Sequence, residues 1–179
     1  KHVYATGGID DAIAVFSRDA GTGALTFVEV LKDGVGPVDG LDSAQSVTVS
    51  PDNKHVYAAG LLDDAIAVFS RDAGTGKLSF VEMLKDGVGG VDGLDGAQSV
   101  TVSPDNKHVY AAGEFDNAIV VFSRDAGTGA LTFVEMLKDG VGPVDGLSGV
   151  RSVTISPDNK HVYATGEFDD AIAVFSRDA

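Results

Sequence analysis

An all-β fold of small, stacked, four-stranded antiparallel sheets is the architecture this sequence predicts, and three observations lead to it. The chain repeats itself every 53 residues, with Lys-His-Val-Tyr-Ala beginning at Lys1, Lys54, Lys107 and Lys160. Each repeat holds four short runs rich in β-branched and aromatic residues, split by turn formers. One of those runs is apolar on both faces, so its sheet must be covered on both sides. The copies are close: residues 1–53 and 54–106 agree at 45 of 53 positions, and 54–106 and 107–159 at 42 of 53. A single tandem array is expected, in units 1–53, 54–106 and 107–159 with a partial unit over 160–179.

The strands of one blade follow in order. Ser99-Val100-Thr101-Val102-Ser103 alternates and is β-branched, which marks a first strand. Pro104-Asp105-Asn106 turns the chain, because Pro presets φ and Asp and Asn tolerate the later turn positions. His108 to Gly113 is the second strand, and an acidic connector, Glu114 to Asn117, leads into the third. That third strand puts Ile119 and Val121 on one face and Val120 and Phe122 on the other. Gly127-Thr128-Gly129 then turns the chain into the fourth, Leu131 to Leu137. A Gly/Asp stretch, Asp86 to Gly96, joins each fourth strand to the next first strand and recurs as Asp33 to Ser43 and Asp139 to Gly149. Four strands in a repeat of this length, needing sister sheets above and below, are the signature of propeller-type blades. The chain counts fourteen strands, about three and a half blades, too few to close a ring alone. No segment carries a 3.6-residue period with caps, so almost no helix is expected.

Composition narrows the function classes. Apolar residues make up 44%, enough for a core, and Cys and Trp are absent, which removes disulfides and thiolate metal sites. The net charge of −14, from 27 acidic and 13 basic residues, repels phosphate backbones and anionic lipid, so neither nucleic acid nor membrane is expected as a partner. No apolar run reaches the length of a membrane span and no signal-peptide pattern opens the chain. Lys1 falls inside a repeat, and the sequence is expected to start within a longer product.

Ser50 to Ala58 (Ser-Pro-Asp-Asn-Lys-His-Val-Tyr-Ala), followed by Asp63 to Phe69 (Asp-Asp-Ala-Ile-Ala-Val-Phe), resembles the lactonase-like, YVTN-type β-propeller repeats of bacteria. Thr22 to Phe27 resembles that family's last hairpin. The resemblance covers every repeat and implies closed rings of about seven blades. Where this chain has Asn53, Asn106 and Asn159, the family most often has Gly; both residues accept the left-handed region, so the turn survives.

The candidates for chemistry lie in the connections. Asp33, Asp39 and Asp42 recur as Asp86, Asp92 and Asp95, while the third copy keeps Asp139 and Asp145 and has Ser148. Carboxylates gathered by Gly turns are ligands for Ca²⁺, and the same residues also simply make turns. The pairs Asp10-Asp11, Asp63-Asp64 and Asp169-Asp170, with Asp116-Asn117 in the third unit, sit in the turn between second and third strands as cation ligands, acid–base carboxylates or turn residues. Just ahead of them the copies differ most: Gly8-Ile9, Leu61-Leu62, Glu114-Phe115 and Glu167-Phe168. Variation in an otherwise copied unit marks an exposed tip, and Leu61, Leu62, Glu114, Phe115, Glu167 and Phe168 are candidates for partner contact. His2, His55, His108 and His161 share a face with Tyr, where packing or hydrogen bonding is expected.

An enzyme site needs different residues in different roles, whereas copies this alike place the same residues in every blade. The unit-specific charge changes, Lys77, Glu114, Glu167 and Arg151, form no evident constellation along the chain. The expectation is therefore a non-catalytic, extracellular or cell-surface structural or interaction module that assembles with itself into a ring or filament. The alternatives are a fragment of a lactonase-like propeller hydrolase, or a multivalent propeller binding glycans or cations.

Overall fold

A computed structural model describes residues 1–177, which form fourteen strands and, among the described residues, no helix. Four sheets follow one another along the chain. The first holds β1 (His2–Gly7), β2 (Ala12–Arg18) and β3 (Leu25–Lys32). The second holds β4 (Ala44–Val49), β5 (His55–Gly60), β6 (Ala65–Arg71) and β7 (Leu78–Lys85). The third holds β8 (Ala97–Val102), β9 (His108–Gly113), β10 (Ala118–Arg124) and β11 (Leu131–Lys138), and the fourth β12 (Val150–Ile155), β13 (His161–Gly166) and β14 (Ala171–Ser176). Consecutive strands pair antiparallel throughout, so each sheet is a meander. The fold is all-β, built of propeller blades.

Two irregularities recur in each full blade. The ladder shifts between Val68 and Phe69 against β7, and again between Ala44 and Ser46 against β5. Such bulges add twist, which stacked blades require. The turns use left-handed residues where the chain has Asn or Asp: Asn53, Asn106 and Asn159 at φ 62, 68 and 67°, and Asp11, Asp64, Asn117 and Asp170 at 51, 54, 54 and 51°. Short polar side chains bear this conformation better than other non-Gly residues.

The core lies between sheets. Tyr57, Ile66 and Val68 of the second blade pack against Val100, Val109, Val120 and Phe122 of the third, and the flanking interfaces repeat the arrangement. Strand β6 is buried along its apolar stretch and β10 nearly so, as double-faced coverage demands. Strands β4, β8 and β12 lie side by side as the inner strands, and the Val100 and Val153 N–H groups donate to Ser46 and Ser99 Oγ at 3.3 Å.

Candidate functional site

In a meander, alternate turns fall at opposite ends of the blade, so the array has two rims with different chemistry. One rim gathers the Ser-Pro-Asp-Asn turns and the Gly-Thr-Gly turns. There Arg124 of the third blade reaches into the second: Nε donates to Tyr57 Oη (2.6 Å), Nη2 lies 2.7 Å from His55 Nδ1, and Nη2 pairs with Asp52 at 3.2 Å. Tyr57 Oη donates to the Gly129 carbonyl (2.8 Å). Arg177 repeats the arrangement on Tyr110, His108 and Asp105, and Arg71 does so on Tyr4 and His2. Burial pushes the Asp52 carboxyl upward, but the Ser50 hydroxyl, the Asn106 amide, the Lys54 N–H and Arg124 outweigh it and hold it well below the ordinary carboxylate range. Burial likewise pushes the Tyr57 hydroxyl up to about 12. The same clamp recurs at each interface, which makes it a blade-to-blade fastening.

A groove of about 250 Å³ beside β14, lined by Glu135, Tyr110, Phe175 and Arg177, is explained the same way. Between earlier blades the equivalent carboxylates Glu29 and Glu82 accept the N–H groups of Leu78 and Leu131, the first residues of the next blade's outer strand. Between those blades β7 and β11 fill the corresponding place.

The opposite rim carries the acidic residues. Asp33 and Asp39 meet Asp63, Asp86 and Asp92 meet Asp116, and Asp139 and Asp145 meet Asp169, each trio with one oxygen per residue within 4.8 Å of the others. Asp42 and Asp95 fall outside the trios; their N–H groups donate to Asp63 and Asp116 at 2.8 and 3.1 Å. Asp33 and Asp86 accept the N–H groups of Leu41 and Leu94. Three clustered carboxylates are the oxygen-ligand type that suits a hard cation, and here they also fasten the loop. Burial pushes the Asp63 carboxyl upward, opposed by the Asp42 N–H and reinforced by the like charges of Asp33 and Asp39. In the acidic pairs, Asp11, Asp64 and Asn117 each accept an N–H from the loop before the next blade: Ser43, Gly96 and Gly149. An amide serves there as well as a carboxylate, which identifies that position as a turn fastener rather than an acid–base group.

On this rim the blades also stop being alike. The residue after the first of each inner strand is Gln45, Gln98 and then Arg151, and the tip between second and third strands changes from Gly8 and Leu61 to Glu114 and Glu167. These changes converge. Arg151 Nη2 donates to Glu114 Oε1 at 2.9 Å, Arg151 Nε pairs with Glu167, and the Gln98 amide donates to the second Glu114 oxygen. Glu114 is nearly buried, its side chain 9% exposed, whereas Arg151 and Glu167 are each 50% exposed. A guanidinium has five N–H bonds; two are engaged here, leaving three without partners among the described residues. The cluster joins third and fourth blades beside the inner strands, and Phe115 and Phe168 stand exposed at its edges.

The expectation that the unit-specific charges form no constellation is therefore corrected for three of the four. Only Lys77, in the turn at the opposite rim, stays apart. The signal was present, since the copies differ at these positions, but Glu114 and Arg151 lie 37 residues apart in different blades and meet only when the blades stack. Gln98, copied from Gln45, gave no signal.

The family model described as lactonase, 7-bladed beta-propeller, matches residues 1–89 and 89–179. A 6-phosphogluconolactonase of Klebsiella pneumoniae (strain ATCC 700721 / MGH 78578) is 31% identical over 170 residues, covering 90% of this chain and 49% of that protein. Its counterpart in K. pneumoniae strain 342 is 29% identical over 167 residues, with the same coverage. The chain spans about half the length of these curated relatives. Among solved structures, a putative 6-phosphogluconolactonase from Bacteroides uniformis superposes with a TM-score of 0.79 at 24% identity, covering 99% of this chain and 48% of that one. A periplasmic gluconolactonase from Pseudomonas aeruginosa does so at 0.64 and 21%, covering 93% and 60%. At such identities the two structures speak for the fold alone. The curated relatives, named as lactonases, overturn the expectation of a non-catalytic, self-assembling extracellular structural module. That expectation argued from the near-identity of the copies, and the rim cluster, where copies alike elsewhere supply different side chains to one place, removes that argument.

Proposed function

Because this chain belongs to the lactonase, seven-bladed β-propeller family, we propose that it contributes to a hydrolase acting on a sugar-acid lactone, with the chemistry carried where Glu114, Arg151 and Glu167 meet. The sugar-acid class is supported by the curated relatives' name, 6-phosphogluconolactonase. The observation that carries the assignment is the convergence of unit-specific residues beside the inner strands.

Roles follow from surroundings. Glu114, held by both Gln98 and Arg151, anchors the guanidinium. Glu167 is half exposed, and Arg151 is its one side-chain partner among the described residues, so one of its oxygens is open to water. In the proposed reaction Glu167 takes a proton from a water molecule as the water oxygen bonds to the lactone carbonyl carbon. The unpaired N–H bonds of Arg151 receive the oxyanion that forms. The ring C–O bond then breaks, the leaving oxygen recovers the proton from Glu167, and the product is the open hydroxy acid.

The repeat supplies substitutions already accommodated elsewhere in the array. Arg151→Gln installs what Gln45 and Gln98 are at the same place, and Lys77→Ala installs Ala24 and Ala130. Spectrophotometric assay of D-glucono-δ-lactone hydrolysis should show kcat/KM falling by about 10²–10³ in Arg151→Gln, the usual cost of losing an oxyanion donor, and unchanged in Lys77→Ala. Equal turnover by Arg151→Gln and the parent would remove this site from the chemistry.

A further inference from the structure

We infer that Phe115 and Phe168 are stacking platforms for the apolar C–H face of a sugar ring, set beside the Glu114–Arg151–Glu167 cluster that holds its oxygens; this deepens the lactonase proposal and rests on it. The evidence is a set of coupled changes. At the tip of the second blade, Leu61 and Leu62 donate to the Ser43 and Asp42 carbonyls of the facing loop, and Ser43 holds φ 53°. In the third, Glu114 and Phe115 donate to the Gly96 and Asp95 carbonyls, and in the fourth Glu167 and Phe168 donate to those of Gly149 and Ser148. In both, the ring lies against the glycine. A Cβ built on Gly96 would sit 2.8 Å from Phe115 Cδ2 and 3.0 and 3.1 Å from Cγ and Cε2, and one on Gly149 would sit 2.6 Å from Phe168 Cδ2. Real Cβ atoms do not approach that closely, so each Phe can lie where it does only because the loop residue has lost its side chain. Both glycines also hold positive φ, at +67 and +64°.

Burial does not account for this arrangement. With one side seated on glycine, Phe115 remains 58% and Phe168 70% exposed. Had apolar burial been the gain, a ring tucked into the core would have served better. What the arrangement secures is a flat aromatic surface held at a fixed place. The same two blades carry Glu114 and Glu167 directly before these rings, and Arg151 between them. Aromatic faces flanked by carboxylates and a guanidinium with spare donors match a polyhydroxylated ring, apolar on its faces and hydrogen-bonding at its edge.

Two readouts test this on the protein with Phe115→Ala and Phe168→Ala: KM for D-glucono-δ-lactone, and saturation-transfer NMR of the stable product D-gluconate. Each substitution should raise KM about tenfold, an effect of about 1.4 kcal/mol, and abolish the transfer signal. Phe168→Leu, which copies Leu62, should fall between. Circular dichroism should be unchanged, because the rings are exposed. Turnover with KM and gluconate signal indifferent to both alanines overturns the platform and leaves the hydrolase standing. Gluconate bound through the rings without turnover supports the platform and overturns the hydrolase. Absence of both binding and turnover overturns both.

Discussion

Arg124 Nη2 lies 2.7 Å from His55 Nδ1, and a guanidinium has only hydrogens to offer, so Nδ1 must carry its lone pair and the ring proton sits on Nε2. Burial first, then the charge of Arg124, pulls the His55 pKa below 6.5 against the opposing pull of Asp52. His108 behaves likewise beside Arg177. The unfolded chain therefore binds these protons at higher pH than the folded one, and the stabilisation is full above pH 6.5 and lost as pH falls towards the folded values. Asp52 and Asp105, both held low, extend the same loss below about pH 3.8. The urea midpoint should fall between pH 7.5 and pH 5, and fall less steeply in a His55→Gln variant; a flat midpoint would mean that the imidazole does not face the guanidinium. Alternation along His-Val-Tyr-Ala placed His and Tyr on one face from sequence alone. Their arginine was not legible, because it stands 69 residues away in the next blade.

Strand identity was the most legible level. Period-two alternation and Gly, Pro, Asp and Asn punctuation located the strands, and the apolar stretch of β10, buried on both faces, required stacked sheets. The bulges were not legible, since nothing in Val68-Phe69 distinguishes a shifted ladder from a regular one. Phe122 is fully buried between blades, so Phe122→Ala should cost about 3–5 kcal/mol in denaturant unfolding. At the turn into the third strand, Asp64 holds φ 54° and accepts the Gly96 N–H at 2.9 Å. Asp64→Asn keeps both features, as Asn117 does, and should change stability by less than about 0.5 kcal/mol. Asp64→Ala loses the hydrogen bond and sets a Cβ-bearing residue without a polar group in the left-handed region, costing about 2–3 kcal/mol. Equal losses in the two variants would show that the charge, and not the acceptor, matters there.

At the scale of the molecule, a charge of −14 on 179 residues is spread over a surface with little positive counterweight. Raising NaCl from 0.01 to 0.15 M shortens the screening length from about 30 to about 8 Å. The melting temperature should rise by about 2–4 °C, equivalent to about 1 kcal/mol; a fall would mean that the ion pairs outweigh the repulsion. Acidity and blade architecture could be read directly from the sequence. The rim cluster could not, because near-identity hides asymmetry until blades are stacked and residues such as Glu114 and Arg151 meet. Among the described residues, every hydrogen-bonded ladder joins strands that are neighbours in the chain. No copy needs to be told apart from its twins while the polypeptide organises, since each closes on its own nearest segments. Unequal recombination that deleted or doubled a whole period would thus hand on an unbroken sheet, leaving only the few odd residues at the rim for selection to rewrite.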